Sequence, residues 1–79
     1  MIDRARVATE VEFYLIRYSG YVERHIASDT REAAHDAIRP HLKATIDHLE
    51  QNRISQALIA FARMRAEAEK FGFKLRVFN

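Results

Sequence analysis

The segment 30–51, TREAAHDAIRPHLKATIDHLEQ, decides the fold. At 100° per residue, Ala34, Ile38, Leu42, Thr45, Ile46 and Leu49 fall on one stripe, and Glu32, Asp36, Arg39, Lys43, Asp47 and Glu50 fall on the opposite side. That division predicts a helix from about Thr30 to Gln51 with one face in a core. Asp29 and Glu32 form a capping-box-like pair at its start, with Ser28 ahead of them. Pro40 lies on the polar face. It removes one backbone hydrogen bond and crowds the preceding turn. The stripe keeps its phase across Pro40, so the expectation is a bend around the core, not a stop.

Working outward, the segment before it reads as a longer helix from about Arg4 to Ala27. Val7, Val11, Tyr14, Leu15, Tyr18 and Val22 share its inner stripe, and Asp3 suits its N-cap. In the other direction, the step of five from Leu49 to Ile54 breaks helical phase. Asn52 in that gap suits a tight turn or an N-cap. A third helix follows from about Arg53 to Phe71, with Ile54, Ala57, Leu58, Phe61, Met64, Ala68 and Phe71 facing inward. Gly72 is placed to end it, because glycine takes the left-handed conformation that closes a helix. Residues 73–79, FKLRVFN, then alternate with period two: Phe73, Leu75 and Val77 on one side, Lys74 and Arg76 on the other. That pattern reads as a short extended or strand-like tail.

Three helices of similar length (~28–36 Å) joined by short turns imply antiparallel neighbours. The expected fold is all-α: an antiparallel three-helix bundle over residues 1–72, with an extended tail over 73–79. Its first helix is long and its second is bent at Pro40.

Composition narrows the function classes. A chain of 79 residues forms one domain and buries only ~60–65% of its unfolded surface, so one core gives thin stability. Disulfides, thiolate metal sites or oligomerisation usually reinforce such a chain. With no Cys, the first two are excluded and a second copy gains weight. Thirteen Lys+Arg against eleven Asp+Glu leave a net charge of +2, too small to imply a nucleic-acid partner by itself. No apolar run is long enough for a membrane span, and the opening residues Met1-Ile2-Asp3-Arg4 do not read as a secretory signal. These features point to a cytoplasmic protein.

The first helix carries the most informative feature. Opposite its inner stripe lie Ile2, Thr9, Phe13, Ile16, Gly20 and Ala27, spaced as a heptad seam whose remaining core positions hold Arg6 and Glu23. Arg6, Arg17 and Arg24 flank it on one side, Glu12 and Glu23 on the other. A helix with two apolar faces needs two surfaces to pack on. Self-association along this face would let Arg on one copy reach Glu on the other, and a two-fold contact makes each pairing twice. Gly20 would allow close approach of a partner backbone or, with Ser19, break the helix. The apolar side of the tail, Phe73, Leu75 and Val77, is the second candidate contact, by strand addition to a partner.

Other chemistry has little support. His41 and His48 are seven apart, ~10 Å along a helix, too far to share one metal ion. No HxxxH or HExxH spacing occurs, and the serines lie in no nucleophile context. No cofactor, metal site, catalytic residue or small-molecule substrate is therefore expected, and the chain does not read as an enzyme. Residues 1–40 carry six cationic against seven anionic side chains, and residues 41–79 seven against four. Arg53, Arg63, Lys70, Lys74 and Arg76 could thus offer a basic surface to nucleic acid as an alternative function. The leading expectation is a small interaction or regulatory module, a homodimer that binds a protein partner through helical faces, with Phe13 and Ile16 as apolar anchors.

Overall fold

A computed structural model of the chain describes residues 2–78. The fold is all-helical, with three helices: α1 Arg4–His25, α2 Arg31–Glu50 and α3 Ile54–Glu69. No strand occurs among the described residues.

Each boundary has a local cause. Asp3 caps α1, its Oδ1 accepting the Arg6 backbone N–H at 2.9 Å. The helix runs unbroken through Ser19 and Gly20 but stops at His25, two residues short of the expected end, so Ala27 lies outside it. Arg31 reaches back to this terminus: its Nε donates to the Ile26 carbonyl at 3.0 Å and its Nη2 to the Glu23 carbonyl at 2.9 Å. That satisfies carbonyls the helix end leaves without partners.

The expected capping box at α2 does not form. Thr30 is the N-cap, in helical backbone conformation and without a side-chain cap bond, while its hydroxyl donates to Asp29 Oδ1 at 3.2 Å. With Asp29 engaged there, α2 begins one residue later than expected. It then continues through Pro40 to Glu50, with the proline exposed.

Both of the later helix ends follow one design. At α2, Asn52 takes φ 58°, its N–H donates to the Leu49 carbonyl at 3.0 Å, and the Arg53 N–H donates to the His48 carbonyl at 2.8 Å. At α3, Gly72 takes φ 91°, its N–H donates to the Glu69 carbonyl at 3.0 Å, and the Phe73 N–H donates to the Ala68 carbonyl at 3.3 Å. These are paired Schellman closures with a left-handed residue at the pivot. A Cβ on Gly72 would also lie 2.5 Å from the Tyr21 hydroxyl oxygen, so sterics reinforce the backbone requirement.

α2 and α3 approach each other closely along their length, whereas α1 touches both more sparingly. The facing residues explain the contrast. α3 buries Ala57, Ala60 and Ala68, small enough to let backbones meet. α1 buries Tyr14 and Tyr18, whose rings hold it off. The tail fills the resulting space: the Phe73 ring centroid lies 5.3 Å from Tyr14, 5.4 Å from Tyr18 and 5.2 Å from Tyr21. Phe73, Leu75 and Val77 are half-buried against the core while Lys74 and Arg76 are exposed, so the period-two pattern survives without a strand partner. One inner-stripe residue departs from expectation. Ile46 is 41% exposed, because Thr45 takes the buried position and bonds its hydroxyl to the His41 carbonyl at 2.7 Å.

Candidate interaction surface

α1 presents the surface in question. Its inner face, Val7, Val11, Tyr14, Tyr18 and Val22, is buried. The outer face, which takes the residue before Tyr14 and the residue after Leu15, leaves Phe13 50% and Ile16 66% exposed, the latter the most exposed large apolar side chain among the described residues. Two arginines lie back along this face. The Arg17 guanidinium sits 4.4 Å from the Phe13 ring centroid. The Arg24 guanidinium covers Gly20, whose hypothetical Cβ would meet its Nη1 at 3.2 Å.

The acidic flank is engaged differently. Glu23 pairs with Arg31 at 3.7 Å, but its side chain is 73% exposed. Such a long, exposed ion pair contributes little to stability. Glu12 lines an open groove between α1 and α2, together with Ala5, Ala8, Leu15 and Ile46. Oppositely charged Arg4 and Glu50 also line it. The volume is about 520 Å³. The exposed Ile46 thus belongs to this groove, next to the outer face of α1. Its place at the edge of the α2 stripe was the only sequence signal for it.

On the other flank, Arg76 and Phe78 of the tail line a hollow with Thr9, Glu10 and Phe13. The Arg6 guanidinium lies 5.8 Å from the Phe78 ring centroid. Phe73, Leu75 and Val77 by contrast pack on their own core.

The remaining basic candidates lie at the α2–α3 turn, on and just after α3, and on the tail. Arg53 is at the α2–α3 turn, its Nε donating to His48 Nδ1 at 3.0 Å and its Nη1 to Gln51. Lys70 is at the far end of α3, ~25 Å away at 1.5 Å per residue, and is paired with Glu67 at 2.7 Å. That hydrogen bond holds the Glu67 carboxyl below its ordinary pKa. Arg63 lines a hollow with His41 and with His48, the residue that accepts from Arg53. Lys74 and Arg76 are on the tail. Among the described residues no group of His, Cys, Asp and Glu is arranged to hold a metal, and no helix is long and apolar enough to cross a membrane.

Comparison with protein-family models, with curated proteins and with solved structures finds no match to this chain.

Proposed function

We propose that the protein is a small interaction or regulatory module that self-associates through the outer face of α1 and binds a protein partner through its helical faces. The observation that carries this reading is the double-faced character of α1: one side fills the core, and the other holds Phe13 and Ile16 in solvent. Two adjacent large apolar side chains flanked by Arg and Glu are the usual composition of an interface centre with a charged rim.

The reading takes the helices as antiparallel neighbours with the tail extended along them. Supporting this order, the start of α1 and the end of α2 share one groove. Tyr18, late in α1, donates its hydroxyl to the carbonyl of Ala34, early in α2, at 2.8 Å. The nucleic-acid alternative would need cations in register along one surface, and the spread of Arg53, Arg63, Lys70, Lys74 and Arg76 gives it no support.

Light scattering at micromolar concentration is the test. A dimer is expected for the native chain, and a monomer for Phe13→Glu/Ile16→Glu with its helical circular dichroism retained. A native monomer would overturn the reading.

A further inference from the structure

The outer face of α1 is self-complementary in one orientation. Its six seam positions within the helix are Arg6, Thr9, Phe13, Ile16, Gly20 and Glu23. They are arranged symmetrically about the point between Tyr14 and Leu15, which is also the midpoint of Arg4–His25. A second copy rotated about a two-fold axis through that point lays the two α1 helices side by side, antiparallel and fully overlapped. Phe13 then meets Ile16 of the second copy, twice, at the centre. Thr9 meets Gly20 of the second copy, two small residues that let the backbones approach. Arg6 meets Glu23 of the second copy at each end.

We propose that the protein's partner on this face is a second copy docked antiparallel in this register; this rests on the self-association reading above. Charge decides against the parallel, in-register alternative. There Arg6 would face Arg6 and Glu23 would face Glu23, two like-charge contacts inside the seam. The parallel arrangement offers in return only Glu12–Arg17 pairs on the exposed rim, where such pairs contribute little. The antiparallel one converts both seam charges to attraction and also brings Glu10 towards Arg17 of the second copy.

Docking requires side chains to move: Arg6 now lies 5.8 Å from the Phe78 ring centroid and Arg17 4.4 Å from that of Phe13. Arg24 has no ion-pair partner among the described residues and can swing off Gly20. Glu23 exchanges a 3.7 Å exposed pair with Arg31 for one closed in an interface.

The absence of Cys permits a direct test. Thr9→Cys and Gly20→Cys chains, distinguished by mass, are mixed and oxidised. The antiparallel register predicts a disulfide joining one of each, since facing seam positions fall within disulfide reach. A parallel dimer would instead join each variant to itself, and that result would overturn the register while leaving self-association intact. A native monomer by light scattering would overturn both. Independently, Arg6→Glu should weaken the dimer about tenfold or more, and Arg6→Glu/Glu23→Arg should recover most of the loss. Failure of the double variant to recover also overturns the register.

Discussion

Tyr14 and Tyr18 lie one turn apart on α1, both almost wholly shut away from solvent, at 1% and 0% exposure. Their hydroxyls fare differently. Tyr18 donates to the Ala34 carbonyl at 2.8 Å, while the Tyr14 hydroxyl has no partner among the described residues. An unmet buried hydroxyl keeps its desolvation cost, whereas a met one adds a net contribution. Tyr18→Phe should therefore cost about 1 kcal/mol, while Tyr14→Phe should leave stability level or raise it by up to about 1 kcal/mol. Urea unfolding at fixed protein concentration checks both. Equal losses in the two variants would mean that the Tyr14 hydroxyl is satisfied in solution. The aromatic spacing on α1 made both rings legible as core. Which hydroxyl finds a carbonyl depends on where α2 starts, and no single segment contains that information.

At the scale of elements, α2 carries an interior proline that its neighbours overrule. The Pro40 ring is exposed, so it contributes nothing visible to the core, yet it removes a helical hydrogen bond. Burial of Ala34 and Ile38 before it and Thr45 and Leu49 after it holds both halves of the helix. Pro40→Ala should stabilise the fold by about 1–3 kcal/mol, read as a rise in urea midpoint without a change in slope. No gain would show that a proline bend helps α2 follow the core.

The helix closures were legible for a related reason: Gly72 and Asn52 are residue types that tolerate positive φ, and both sit where the apolar phase breaks. The Asp29–Glu32 box was not realised, because a capping motif states only what a terminus could use. The tail shows the same limit. Its alternation was readable, but a period of two does not say whether the apolar side meets another strand or three tyrosine rings.

For the whole molecule, the dimensions matter: 38 by 24 by 16 Å across the Cα atoms. At 8–10 Å between packed helix axes, that slab is too thin to cover both faces of every helix. Each helix is left with an open side, and on α1 that side carries Phe13 and Ile16. Burial of tyrosines also couples the fold to alkaline pH. Desolvation raises the pKa of both Tyr14 and Tyr18 above the ordinary 10.0. A phenol with a higher pKa in the folded state keeps its proton there after the unfolded chain has lost it. The unfolded state then binds fewer protons, and stability falls as pH rises. The contribution is complete below about pH 10 and is lost above it. The urea midpoint should decline above about pH 10, and less steeply in Tyr14→Phe. An identical decline in that variant would place the titrating group elsewhere.

Sequence alone determined that this chain is three helices, that α1 has two apolar faces and that Gly72 ends α3. Those properties depend on local period and on the conformations a residue type allows, and both are written in consecutive residues. Tertiary structure decided that α2 and α3 form the close pair, that Ile46 lines a groove where the core was expected, and that the tail's Phe73 packs on the tyrosines of α1. These outcomes depend on how far apart bulky and small side chains hold the helices, a property of facing surfaces that no single segment carries.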